Sequence, residues 1–162
     1  MLENITAYLD KDGVRYTSNT DDNIIRFSSR MSNAIFECSA QWKKSLSALV
    51  VYTIFAPIIP FNKRWFMGEI INRINDGLLM GNYEISYKDG IIRFKTSVDL
   101  EEVTFQENIV RNLFDATLQI SDSYFPLLIE ALSTELTPEE LYNKFEEKIH
   151  SEENTPEQNS PE

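Results

Sequence analysis

The sequence predicts an α+β fold: an antiparallel β-sheet, built as a meander of about four strands plus a hairpin, packed by an N-terminal helix, a central helix and a long C-terminal helix. Three observations predict it. Between Ile24 and Phe55, alternating and β-branched runs are separated by short polar turns. From Trp65 to Val98, a helical repeat passes through glycines into two alternating runs around Asp89-Gly90. From Thr104 onward, apolar residues recur at helical spacing over several turns.

Leu2, Ile5 and Leu9 lie on one helical stripe with Gly13 beyond it, which predicts a short amphipathic helix from Leu2 to Asp10. Val14 to Thr17 begins a strand, and Ser18 to Asn23 is a turn cluster without an apolar residue. Ile24 to Met31 alternates, with Ile25, Phe27 and Met31 opposite Arg26, Ser28 and Arg30. Ser32-Asn33 reverses the chain, after which Phe36, Cys38, Ala40 and Trp42 oppose Glu37, Ser39, Gln41 and Lys43. Lys43-Lys44-Ser45 turns it again. Leu46 to Phe55 is apolar on both faces, the pattern of a strand covered on both sides or near the middle of a sheet.

Pro57 and Pro60 keep the connector Ala56 to Phe61 extended, and Asn62 is placed to cap the central helix. Met67, Ile70, Ile71, Ile74 and Leu78 form that helix's apolar stripe, with Gly77 as its left-handed cap. A two-residue Asp89-Gly90 turn then pairs Tyr87 with Ile92, Ile85 with Phe94 and Glu84 with Lys95, leaving one apolar and one charged face. Thr104 to Glu107 reads as a capping box for a long helix buried through Phe105, Ile109, Leu113, Ala116 and Ile120, which Pro126 should kink or interrupt near Tyr124, with Leu127, Leu128 and Leu132 continuing beyond. Thr137-Pro138-Glu139-Glu140 is a second capping box, opening a helix marked by Leu141, Phe145 and Ile149.

A chain of 162 residues has room for one sizeable core. Residues 1–150 are expected to form a single α+β domain, with 137–150 as an added C-terminal helix. Residues 151–162 carry no apolar side chain and are expected to be a disordered acidic tail. A single cysteine rules out an internal disulfide, and a single histidine rules out a multi-histidine metal site. The chain opens without a secretory pattern, and its longest apolar run, Leu46 to Ile59, is too short for a membrane helix, so the expected setting is the cytoplasm with no membrane partner. The net charge of −11 argues against a nucleic-acid partner. Residues 137 to 162 hold eight Glu against two Lys, so the rest of the chain is only mildly acidic.

Candidate chemistry is sparse. Cys38 falls on an apolar strand face far in sequence from His150, which favours a buried structural thiol. His150 suits the C-terminal end of a helix. Paired glutamates lie at helix starts or on solvated faces, and no phosphate-binding glycine motif is present. No catalytic, cofactor or metal residue is therefore assigned. Trp42, Phe61 and Trp65, with Lys43, Lys44 and Arg64, are the candidate contact residues. Lys43, Lys44, Lys63 and Arg64 could form a small basic patch around Trp42 and Trp65 for an acidic peptide, and solvated turn residues explain them equally well.

Ile71-Asn72-Arg73-Ile74-Asn75, Met80-Gly81-Asn82-Tyr83-Glu84-Ile85, the Asp89-Gly90 turn, Ile92-Arg93-Phe94 and Asp122-Ser123-Tyr124-Phe125-Pro126 together resemble the YbjN family of bacterial sensory-transduction regulators. That family is similar in fold to the class I type III secretion chaperones. The resemblance covers about residues 1 to 132 and implies a homodimer, but it supplies no catalytic residue. The Pro-flanked connector and the acidic C-terminal addition depart from it.

The expected function is that of a non-catalytic regulatory or chaperone-like module binding a protein partner or itself, without a cofactor. The alternatives are a small-ligand sensor, marked by an apolar cavity between the long helix and the sheet, and a cofactor-independent hydrolase, marked by two carboxyls in an enclosed pocket.

Overall fold

The structure is a computed structural model that describes residues 1–153. Its elements run α1 (Leu2–Lys11), β1 (Tyr16–Asn19), β2 (Ile24–Arg30), β3 (Ile35–Lys43), β4 (Ala48–Phe55), α2 (Arg64–Gly77), β5 (Asn82–Ile85), β6 (Ile92–Asp99), α3 (Glu107–Glu130) and α4 (Pro138–Glu153). The sheet has six strands in the order β1-β2-β3-β4-β6-β5, every neighbouring pair antiparallel. The expected meander plus hairpin is thus one sheet. Helix α2 leaves after β4, and the chain returns at the far edge so that β6 fits against β4.

The alternating runs bury one face. Ile25, Phe27, Phe36, Cys38, Ala40, Leu49 and Val51 meet Ile5, Leu9, Val110, Leu113 and Phe114 in one cluster. Phe55, Ile59, Tyr83, Ile92 and Phe94 meet Met67, Ile70, Ile74, Leu127 and Leu141 in another. Each fully buried large side chain contributes about 1.5–3 kcal/mol. Between sheet and α3 lie buried hydroxyls: Thr53 Oγ1 is 2.5 Å from Ser121 Oγ, and Thr96 Oγ1 is 2.6 Å from Thr117 Oγ1. Ser121 and Thr117 each donate their own hydroxyl proton to a carbonyl one turn back, Thr117 O and Leu113 O. The two strand threonines must therefore be the donors.

These pairs explain why α3 is rotated from the expected stripe. Over its first four turns the buried residues are Val110, Leu113, Phe114, Thr117 and Ser121, whereas Ile109 and Ile120, and Phe105 ahead of the helix, are only half buried. Its expected capping box does not form: the helix starts at Glu107, whose carboxylate instead binds Lys11 and Arg111. Nor does Pro126 interrupt it, because Asn33 Nδ2 donates to the Asp122 carbonyl that the proline cannot serve. The second box does form, with Glu140 Oε2 accepting from Thr137 N at 2.8 Å and Thr137 Oγ1 accepting from Glu140 N at 3.3 Å.

Three other expectations are corrected. Asn62 lies in a short 3-10 turn and caps nothing; Lys63 precedes α2 without a side-chain cap. Gly77 stays helical, and the left-handed conformation comes at the next glycine, Gly81, at φ +74°. Strand β4 is near the middle of the sheet, the second of its two expected placements, with Ile54 exposed on the outer face. The hairpin register is offset by two residues from the expected one, pairing Ile85 with Ile92, Glu84 with Arg93 and Tyr83 with Phe94. An even offset preserves the faces. Residues 151–153, assigned to the tail, continue α4; the remainder of that expectation lies outside the described residues.

Candidate functional site

The hairpin offset creates the most exposed aromatic surface. Tyr87-Lys88-Asp89-Gly90 form a four-residue loop closed by Ser86 N–H on Ile91 O at 2.9 Å and Gly90 N–H on Ser86 O at 2.7 Å. Gly90 is at φ +79°, and a Cβ there would sit 2.2 Å from the Ile59 carbonyl, so only glycine fits. Ile59 N–H in turn donates to Gly90 O at 2.9 Å, tying the extended connector to the loop.

Arg64 fixes this junction. Its Nε donates to Ile59 O at 3.1 Å, and one terminal nitrogen donates to Tyr87 O at 2.6 Å and Lys88 O at 3.1 Å. The Tyr87 and Lys88 carbonyls, which a tight turn would have left to water, thus share a donor with the connector's Ile59 carbonyl, which is why the loop can be wider than Asp89-Gly90 predicts. The guanidinium carbon also lies 5.6 Å from the Phe61 ring centroid.

Because Met67, Ile70, Ile71 and Ile74 occupy the inner stripe of α2, Trp65 points outward, as does Phe61 in the preceding turn. Both are 81% exposed. Tyr87 tilts against Trp65 with ring centroids 5.4 Å apart, and its hydroxyl occupies the space over Gly68, where a Cβ would come within 2.0 Å of it. Ile58 and Ile91, also exposed, flank the Ile59–Gly90 bond. The result is an apolar cap at one end of the sheet, braced by a cation.

The six sequence-selected residues do not form one patch. Phe61, Arg64 and Trp65 share the cap. Trp42, Lys43 and Lys44 lie at the β3–β4 reversal, the length of β4 away, about 23 Å. Trp42 is half buried against the first core cluster and Lys43 and Lys44 are exposed. The basic patch around both tryptophans is thereby corrected: Arg64 is spent on carbonyls, and Lys63 lies 5.3 Å from the half-buried Phe66 ring. Tyr87 and Gly68 were missed by sequence reasoning. A glycine inside an otherwise good helix, costing about 1 kcal/mol, was the available signal of a close approach.

Elsewhere the ionisable groups are dispersed. Burial pushes the Cys38 thiol up to about 12. Asp122 is the buried carboxylate among the described residues, and both its oxygens accept from Asn33. Among the described residues no three His, Cys, Asp or Glu side chains converge on a metal site, and no helix is long and apolar enough to cross a membrane. A hollow between α1, β2 and α3 measures about 180 Å³, below the roughly 300–1,000 Å³ of ligand pockets.

Residues 1–130 match the YbjN family, described as "Putative bacterial sensory transduction regulator". Among solved structures, the chain is similar to YbjN from E. coli, with a TM-score of 0.59 at 7% identity over 77% of this chain and 88% of that one. The HopA1-SchA chaperone–effector complex gives 0.46 at 11% identity, covering 74% and 92%. An uncharacterized Methanothermobacter thermautotrophicus protein gives 0.45 at 12%, covering 81% and 98%. No curated protein sequence gives a significant match.

Proposed function

Since this chain belongs to the YbjN family, we propose that it is a non-catalytic regulatory module that binds another protein through the cap formed by Phe61, Trp65 and Tyr87. The observation that carries this reading is the exposure of Phe61 and Trp65, 81% each, on a junction immobilised by Arg64. Large aromatics left in water have burial energy to contribute on association and are the residue types that dominate interfaces. Holding them rigid in advance lowers the ordering cost of binding. A buried, unpaired cysteine fits action in the cytoplasm.

Quantitative co-purification from the native host tests it. A defined protein should be recovered with the wild type and fall about tenfold or more with Phe61→Ala/Trp65→Ala and with Gly68→Ala, which evicts Tyr87. Equal recovery by wild type and variants, or none above background, would overturn it. A dimer in sedimentation that Trp65→Ala dissociates would make the partner a second copy.

A further inference from the structure

All four helices pack on one side of the sheet, so no helix covers the opposite face, where Val50 is buried among its neighbours and the positions on either side of β4 are half buried or exposed. The register arranges that face in rows crossing the strands. One row runs Thr17, Arg26, Ser39, Tyr52, Lys95, Asn82, and the next runs Ser28, Glu37, Ile54, Arg93, Glu84. At the centre, β4 places a half-buried Tyr52 and an exposed Ile54 where a solvated face would carry polar residues. The Arg93 guanidinium lies 5.3 Å from the Tyr52 ring centroid.

The surroundings are cationic on a chain of net charge −11. A concavity of about 620 Å³ is lined by Arg26, Lys43, Tyr52, Ile54 and Arg93, with Glu37 as its one carboxylate. Arg26 and Lys43 are exposed and form no ion pair among the described residues. Glu37 accepts from Ser28 Oγ at 2.8 Å, and Glu84 is neutralised by Arg93 and Lys95. Asp99, at the rim beyond Lys43 and Ala48, accepts from Glu101 N. A second hollow shares Arg26 and Glu37 and reaches Arg15 on the β1 side, and a third shares Arg93 and reaches Ile85 and Ile91 with the carboxylates Glu84 and Asp89, so the cationic part of the face is its β2–β4 centre. The trough so formed crosses six strands, about 24 Å, the span of about seven extended residues.

We infer that this open face is a second docking surface, separate from the aromatic cap, and that its occupant is an extended acidic segment of a partner protein. Carboxylates on the segment pair with Arg26 and Lys43, and an apolar or aromatic residue between them covers Tyr52 and Ile54. A densely charged nucleic acid is the weaker fit, because the acidic remainder of the chain repels it.

The test uses the full chain and a fluorescein-labelled twelve-residue peptide alternating Glu and Phe, with a Lys/Phe peptide and a twelve-nucleotide oligo(dT) as comparators, read by anisotropy. The Glu/Phe peptide should bind alone among the three. Affinity should fall about tenfold or more in Arg26→Glu/Lys43→Glu, a variant of two exposed side chains whose circular dichroism should be unchanged. Phe61→Ala/Trp65→Ala should bind the peptide normally, which separates this surface from the cap. No binding, equal binding of the Lys/Phe peptide, tighter binding of oligo(dT), or insensitivity to the charge reversal would each overturn the inference.

Discussion

Asn33, in the β2–β3 reversal, and Asp122, in the middle of α3, are joined by three hydrogen bonds: the Asn33 N–H donates to Asp122 Oδ1 at 2.8 Å, and Asn33 Nδ2 donates to Asp122 O at 3.0 Å and to Oδ2 at 3.2 Å. The carbonyl bond is the telling one. In an unbroken helix that oxygen would accept from residue 126, but Pro126 has no N–H to give. A side chain 89 positions away in sequence supplies the donor, so the same contact closes the helix and fixes the sheet's turn against it.

Asn33→Ala should therefore destabilise the fold by about 2 kcal/mol, the cost of leaving buried acceptors unserved. Pro126→Ala restores an amide at the right place. In the Asn33→Ala background it should recover about 1 kcal/mol more than it does in the wild type. Urea denaturation of the four proteins measures this coupling, and strict additivity would show that the carbonyl does not depend on Asn33.

Glu84 lies between Arg93 and Lys95 on the open face. Burial alone would raise its pKa, but the hydrogen bonds and charges of Lys95 and Arg93 outweigh that and hold it below the ordinary value of 4.5. A carboxylate depressed in the folded state stabilises above its unfolded pKa and loses that contribution as pH falls through the folded value. The wild type should lose more stability than Glu84→Gln as pH drops below about 4.5, which chemical denaturation across that range reads directly. Parallel acid sensitivity in both proteins would count against the pairing.

Cys38 is closed off by Phe36, Ala40 and the α1–α3 layer, with its thiol pushed up to about 12 by burial. At pH 8 in native buffer it should resist an aromatic disulfide reagent and react at once in urea. Rapid native labelling would mean that this part of the core opens readily.

Much of this fold is written locally. The alternation in Ile24–Arg30 and Ile35–Lys43 gives both strands and their inner faces, and Thr137 with Glu140 gives the start of α4. What the chain hides is supplied by distant partners. Arg64 widens the hairpin loop, Asn33 repairs Pro126, and Thr53 and Thr96 make Thr117 and Ser121 core residues. The first two let a wide loop and a helical proline stand where the local sequence argues against them, and the last turns two polar helix residues into interior ones. The candidate surface was half legible for the same reason: Phe61 and Trp65 stand out by type, but Tyr87 joins them only once Arg64 has pulled its loop over Gly68.

The central claim is that the aromatic cap touches a protein, and photo-crosslinking from position 65 in the native host asks this most directly. A photoreactive residue replacing Trp65 should give one discrete protein adduct that is absent when the probe replaces Ser18 on the exposed edge strand and reduced when Gly68→Ala displaces Tyr87. No adduct from position 65, or the same adducts from position 18, would contradict it.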